Sequence, residues 1–188
     1  KLYSYAGVIG SILLIIVVIV VLSGYQVKQK SNLKLADKNK IIEEKNLEIT
    51  DSITYSKRIQ QAILPQGNEF NLALKNSFVF YVPKDIVAGD FYWMHKIGNV
   101  VLYAAADCNG HGVPGSLVSV VCYNALNRAV KEYGLTKPSD ILNKTSELVI
   151  DTFKQNKDQR DVTDGMDISL CSIDFKRQQL QYSGANNP

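Results

Sequence analysis

The sequence has few cysteines, and their positions exclude two common kinds of small domain. Cys108, Cys122 and Cys171 are an odd number and lack the short spacing of a zinc site. A disulfide scaffold needs a dense and paired set of cysteines. These three therefore need no disulfide, and they favour a reducing compartment for the part of the chain that carries them.

Charged residues are absent from Leu2 to Val27, and Ile12 to Leu22 contains only isoleucine, leucine and valine. About 20 apolar residues cross a bilayer as a helix, so we expect a transmembrane helix at residues 4–25. A buried core helix of this length would normally have a polar face. Lysines crowd the C-terminal side of the run: Lys28, Lys30, Lys34, Lys38 and Lys40. The positive-inside rule therefore predicts a single pass through the inner or plasma membrane, with the rest of the chain in the cytoplasm.

Glycine and proline are absent from residues 28–64, which predicts one polar helix. Apolar residues recur there at heptad spacing, but lysine and serine fill the other seam position, which is poor for a tight coiled coil. Two interpretations stay open: a weak coiled coil that forms a homodimer, and a solvated signalling linker. Histidine is also absent from this segment. A sensor histidine kinase is nearly excluded, because it would need a phospho-accepting histidine there.

Residues 65–188 lack a basic excess, with twelve basic and thirteen acidic residues, and they contain no basic stripe with interleaved aromatic residues. Nucleic acid is therefore excluded as a partner. The pattern is that of a compact α+β domain. The expected elements are a strand at Ser77–Val82, a hairpin at Asp90–Asp107, helices at Pro114–Tyr133 and Pro138–Lys154, a charged loop at Asn156–Met166, and a hairpin of Asp167–Asp174 with Gln179–Ser183.

Two aspartates are expected to face each other in the first hairpin. A turn at Gly98-Asn99 pairs position 90 with position 107, which would put Asp90 and Asp107 roughly 5 Å apart at Cβ. Like charges at that distance repel, and a hard divalent cation such as Mg²⁺ or Mn²⁺ between them removes the repulsion. The alternative is that Asp90 is a strand-edge residue and Asp107 a turn former. Both faces of this hairpin are largely apolar, which predicts that both are covered, and we expect His95 to be a packing residue.

Four stretches of the chain carry a resemblance to a known family. They are RIQQAILP (58–65), PKDIVAGDFYW (83–93), AADCNGHGVPGSLVS (105–119) and DGMDISLCSID with YSGANNP (164–188). Together they resemble the SpoIIE-type branch of the PPM metal-dependent serine/threonine phosphatases, most closely bacterial members with a membrane helix and a helical linker. The resemblance implies that residues 65–188 form the N-terminal part of an α+β domain, the αββα sandwich of PPM phosphatase type. The family's remaining metal aspartates and last strands would follow Pro188, so the chain is expected to be a fragment.

The resemblance also implies the metal ligands. Asp90 and Asp107 would bind a two-metal centre of Mn²⁺ or Mg²⁺, with Asp107 bridging the ions. The backbone carbonyl of Cys108 would contact a metal as well. Asp164 and Asp167 are further candidates, as weak ligands of an additional metal, although a structural role in the loop and at the start of the strand is the favoured reading of both.

Four further residues are expected to shape or serve the site. The resemblance implies that Gly89, Gly110 and Gly112 let the backbone approach the ions closely. His111 would be able to protonate the leaving alcohol as a general acid. The alternative for His111 is a structural residue in a glycine-rich turn.

The function implied is a membrane-anchored phosphoprotein phosphatase that hydrolyses phosphoserine or phosphothreonine with a metal-activated water and is regulated through the membrane-proximal helix. Its substrate would be a phosphorylated regulator such as an anti-sigma-factor antagonist. The alternative is a catalytically inactive scaffold of the same fold that binds a phosphoprotein. Two carboxylates cannot hold a tight two-metal site, so we expect the chain by itself to be inactive.

Overall fold

The computed structural model describes residues 2–154 and 164–187. The chain divides into two units, Lys1–Asp51 and Ser52–Pro188. The first unit consists of most of a long helix, α1, which spans Leu2–Ile63. Within the described residues, α1 is the one helix that is long and apolar enough to cross a membrane, by length and composition. Its apolar side chains, such as Ile15 and Val20, are exposed.

The second unit has the expected α+β architecture. Its four strands form one antiparallel sheet in the order β1-β2-β3-β4. After α1 the elements are α2 (Gly67–Ala73), β1 (Phe91–Ile97), β2 (Val100–Cys108), α3 (Gly112–Lys131), α4 (Pro138–Lys154), β3 (Met166–Asp174) and β4 (Gln179–Ala185). Both predicted hairpins and both predicted helices are confirmed, whereas the short helix α2 was not predicted. Residues 156–163 of the expected charged loop lie outside the described residues.

The hairpin of β1 and β2 has the predicted register. Phe91 pairs with Ala106 and Ile97 pairs with Val100, so Gly98 and Asn99 form the turn. Gly98 has a φ of +57°, a left-handed conformation that glycine adopts without steric cost. The register therefore brings positions 90 and 107 together just beyond the last pair of the hairpin.

One face of the sheet packs against α3 and α4 and forms the core of the unit. Trp93, Leu102 and Leu170 on this face are fully buried, together with Leu126 of α3 and Ile141 of α4. Complete burial of a large apolar side chain stabilises a fold by about 1.5–3 kcal/mol. This core fixes the end of the hairpin and the beginning of α3, between which the candidate site lies.

The prediction that the first hairpin is covered on both faces is confirmed only in part for the described residues. On its second face Val101 is buried, but Ala105 is exposed, and Met94 and Tyr103 are half-buried. The physical reason is that α3 and α4 both pack against the first face. Apolar patterning on both faces therefore did not require two covering layers within this part of the chain.

The predicted strand at Ser77–Val82 is wrong. The segment belongs to no ladder among the described strands, and Phe78 and Phe80 are 87% and 84% exposed. A high content of β-formers indicates that a segment suits a pleated surface, but a strand also needs a neighbour to which it can hydrogen-bond. Tyr81 of this segment does contact the domain, because its ring lies 5.5 Å from that of Tyr92.

Candidate metal centre

Asp90 and Asp107 lie side by side at the end of the first hairpin. Asp90 directly precedes β1, Asp107 is the penultimate residue of β2, and both are exposed. Partial burial raises the pKa of Asp90 above its usual range, and the hydrogen bond and the charge of Asp107 raise it further. Two charged carboxylates at neighbouring positions repel each other. A divalent cation between them would remove this repulsion, so the pair fits the donor chemistry of Mg²⁺ or Mn²⁺.

The next strand places a third aspartate beside Asp107. Asp167 of β3 pairs with Asp107 of β2, and its Oδ1 accepts a hydrogen bond of 3.2 Å from Nδ2 of Asn186. Asp164 lies before β3, and the adjacent Gly165 carbonyl accepts a 3.0 Å hydrogen bond from the backbone N–H of Asn109. Within residues 2–154 and 164–187, however, no set of three or more His, Cys, Asp or Glu side chains is placed to hold one ion. Asp164 and Asp167 therefore remain predicted ligands.

The backbone around the aspartate pair is packed too closely for side chains. A Cβ at Gly89 would lie 2.8 Å from the carbonyl oxygen of Cys108 and 2.9 Å from that of Gly110. A Cβ at Gly115 would clash with the same Gly110 carbonyl. The loop that carries Asp90 is thus in direct contact with the backbone that follows Asp107. The carbonyl oxygen of Cys108 therefore lies next to the loop that carries Asp90.

Two of the other glycines have conformations that other residues rarely adopt. Gly110 has a φ of +91° and Gly112 has a φ of +62°. Both lie in the turn between β2 and α3, which must reverse the chain within a few residues. The glycine content of this motif therefore has a conformational cause that is independent of any metal.

His111 lies at the entrance to α3, and its nearest charged neighbour is an aspartate that the sequence did not single out. Its Nδ1 is 3.7 Å from Oδ2 of Asp85, and the imidazole is 85% exposed. The carboxylate thus lies where it can orient the imidazole. The one signal that could have indicated Asp85 is its position five residues before Asp90 in PKDIVAGDFYW.

A buried glutamine at the end of α1 holds the loop that leads to Asp90. Nε2 of Gln60 donates hydrogen bonds to the carbonyl oxygen of Ala88 (2.6 Å) and to Oγ of Ser119 (2.9 Å), and its Oε1 accepts one from the backbone N–H of Ala88 (3.3 Å). Gln60 is only 4% exposed. It therefore connects α1, the loop before β1 and α3. Gln60 was not predicted from the sequence, although it is a polar residue among the apolar positions of RIQQAILP.

A hydroxyl group also supports the same loop. The Tyr81 O–H donates a 3.0 Å hydrogen bond to the backbone carbonyl of Asp90. Burial raises the pKa of Tyr81, with smaller contributions from Asp90 and Tyr92. Both backbone groups of Ala88 and the carbonyl of Asp90 are thus fixed by side chains, which limits the freedom of the intervening Gly89.

Comparison with known proteins gives matches among solved structures. No protein-family model matches the chain, and no curated protein matches it. The SiaA-PP2C domain of Pseudomonas aeruginosa matches with 32% sequence identity and a TM-score of 0.66, over 74% of this chain and 55% of that one. The RsbU and RsbW domains of Rv1364c from Mycobacterium tuberculosis match with 23% identity and a TM-score of 0.40, over 55% of this chain and 27% of theirs.

The similarity to the SiaA-PP2C domain is close enough to support an argument. This chain spans about half the length of that domain. The similarity confirms the resemblance that the four sequence motifs indicated. The described residues from Ser52 onwards have the PP2C-type α+β fold of the PPM phosphatase family.

Proposed function

We propose that the whole protein is a membrane-anchored phosphatase that hydrolyses phosphoserine or phosphothreonine in a partner protein. The observation that carries this proposal is the pair Asp90 and Asp107, which the register of the first hairpin places at facing positions on a PP2C-type fold. A pair of this kind is unfavourable without a proton or a cation between its members. The proposed substrate class, a phosphorylated regulatory protein such as an anti-sigma-factor antagonist, rests on the family resemblance.

Several residues of the site would bind or support the metal ions. Asp90 and Asp107, with the Cys108 carbonyl, would hold Mn²⁺ or Mg²⁺, while Gly89 keeps the two loops in contact. Bound divalent cations supply Lewis-acid activation of a water molecule and neutralise charge on the phosphoryl group. Asp164 and Asp167 are proposed to complete the donor set weakly.

His111 and Asp85 are proposed to supply the proton. Oδ2 of Asp85 lies 3.7 Å from Nδ1 of His111 and would orient the imidazole ring. His111 is exposed at the entrance to α3, so an incoming phosphoprotein can reach it. Proton donation to the departing serine or threonine oxygen is the role that fits this position.

Control through the membrane-proximal helix is the proposed regulation. Gln60 is a residue of α1, and its side chain binds both backbone groups of Ala88, two residues before Asp90. A shift of the last turn of α1 would therefore move the loop that carries Asp90. Insertion of Gly-Gly-Gly after Glu48 in the whole protein should uncouple its regulation, and unchanged regulation would contradict the coupling.

The proposed location is a single-pass membrane protein with its catalytic domain in the cytoplasm. The apolar segment of α1 and the lysines that follow it support this orientation. Whether residues 28–64 form a coiled-coil homodimer stays a prediction. Protease protection of tagged termini in sealed membranes would test the orientation.

One observation favours the scaffold alternative for the chain as it stands. Among the residues that the structure describes, no cluster of three potential metal ligands is present. Phosphate release from a phosphoserine protein with Mn²⁺, measured on the whole protein and on its Asp107→Asn variant, separates the two functions. Loss of release in the variant supports the phosphatase. Tight phosphoprotein binding without any release in the wild type would establish the scaffold.

A further inference from the structure

A cavity lies within the second unit beside the last residues of α1. Its volume is ≈ 580 Å³, and its lining includes residues of α1, β1, α3 and α4 but none of the aspartates of the candidate metal centre. Sites for small organic molecules typically measure about 300–1,000 Å³. The cavity therefore has the size of a ligand site, and its lining residues differ from the residues of the proposed phosphatase site.

One part of the lining is apolar and comes from the junction after α1. Ile63 and Leu64 contribute to it, with Val121 of α3 and Leu148 of α4. Leu64 is buried, which ties this junction to the core of the domain. The apolar part gives a place for the body of an organic ligand, since burial of about 40 Å² of apolar surface contributes about 1 kcal/mol.

The other part of the lining is polar and carries more positive than negative charge. Arg128 and Lys131 of α3 are the basic residues, and Glu69 of α2 is the acidic one. The guanidinium Nε of Arg128 lies 3.1 Å from Glu132, which holds this side chain in place. Lys131 forms no ion pair with any residue in the described part of the chain. An anionic group at Lys131 would therefore meet an uncompensated cation.

Two neutral groups would add hydrogen bonds. His95 lines the cavity with its half-buried ring stacked at 6.2 Å on Trp93. Burial lowers the pKa of His95, and the nearby Lys131 lowers it further, so its ring is a neutral donor at pH 7. Asn127 is fixed by a 3.1 Å hydrogen bond that its Oδ1 accepts from Nε1 of Trp93. Both side chains are thus held in defined orientations.

We propose that this cavity binds a small organic anion, a carboxylate or a phosphate ester with an apolar body. The anionic group lies at Lys131 and Arg128, and the apolar body lies against Ile63 and Leu64. Because Ile63 ends the turn of α1 that carries Gln60, and Leu64 follows it directly, the ligand contacts the same junction that holds the loop before Asp90. The binding itself does not depend on phosphatase activity.

The test uses the 188-residue chain in lipid nanodiscs and ligand-observed ¹⁹F NMR. The probe is 4-(trifluoromethyl)benzoate, and its neutral counterpart is 4-(trifluoromethyl)benzyl alcohol. The benzoate should bind at least about fivefold more tightly than the alcohol, because only the benzoate carries a charge for Lys131. Asn124→Trp, which adds bulk at an exposed residue of the lining, should weaken benzoate binding at least about tenfold.

A charge-reversing substitution at Lys131 provides the second part of the test. Lys131→Glu should also weaken benzoate binding about tenfold or more, whereas Lys176→Glu, in the β3–β4 turn outside the lining, should change it less than about twofold. Circular dichroism of each variant checks that it folds. The proposal is overturned by no benzoate binding at about 10 mM, by equal binding of the alcohol, or by binding that neither Asn124→Trp nor Lys131→Glu weakens.

Discussion

Asp90 and Asp107 occupy facing positions at the end of the first hairpin, and partial burial together with the neighbouring Asp107 raises the pKa of Asp90. The register of β1 and β2 produces this arrangement, because Phe91 pairs with Ala106 and the next facing positions are these aspartates. The backbone pairing itself therefore brings the two carboxylates together, which destabilises the fold when no cation is bound. This effect on the free energy of unfolding can be measured on this chain without an activity assay.

The first prediction concerns stability without metal. Asp90→Asn should stabilise the second unit by up to about 1 kcal/mol at pH 7 in EDTA, because it removes the repulsion between facing like charges. The free energy of unfolding, measured in detergent with urea, gives the result. Asp151→Asn, an exposed aspartate on α4, is the control and should change stability by less than about 0.5 kcal/mol. A destabilised Asp90→Asn variant would contradict the proposed repulsion.

The second prediction concerns added metal. Millimolar Mn²⁺ should raise the thermal midpoint of the wild type, because an ion that binds the folded state alone stabilises it. The same addition should leave Asp90→Asn and Asp107→Asn unchanged. An equal effect of Mn²⁺ on the wild type and both variants would mean that the ion binds elsewhere.

The third prediction concerns pH. The pKa of Asp90 is raised above the usual 3.8 in the folded chain. Its protonated form therefore contributes stability that is fully present below the unfolded pKa and is lost as pH rises through the folded pKa. In EDTA, the unfolding free energy of the wild type should thus fall relative to that of Asp90→Asn as pH rises through this window. A constant difference between the two proteins across the same pH range would contradict the shift.

The paired aspartates were predictable because the turn at Gly98-Asn99 and the apolar alternation set one register, and a hairpin register is a local property. Gln60 was not, because its partners Ala88 and Ser119 are 28 and 59 residues away in sequence. Local patterns carry no information about such contacts. The false strand at Ser77–Val82 has the same cause, since a strand depends on a neighbour that the segment's own residues do not specify.

The fourth prediction concerns Gln60. Gln60→Leu should destabilise the second unit by about 2–4 kcal/mol, because it leaves the N–H and C=O of Ala88 buried without their partner. Gln61→Leu, at the exposed neighbouring position, is the matched control. Hydrogen–deuterium exchange should increase at Ala88 in the Gln60 variant and not in the control. Unchanged exchange at Ala88 would show that the glutamine does not hold this loop.

The fifth prediction concerns Gly89. Gly89→Ala places a Cβ 2.8 Å from the Cys108 carbonyl and 2.9 Å from the Gly110 carbonyl, both of which are backbone atoms that cannot rotate away. The two loops must separate, which should cost about 1–3 kcal/mol of stability and weaken the Mn²⁺ effect described above. Gly165→Ala is the control, because a Cβ there would meet no atom within 4 Å. If Gly89→Ala retains both the stability and the Mn²⁺ response of the wild type, the contact between these loops is not what positions the two aspartates, and the geometric basis of the metal centre would have to lie in the hairpin alone.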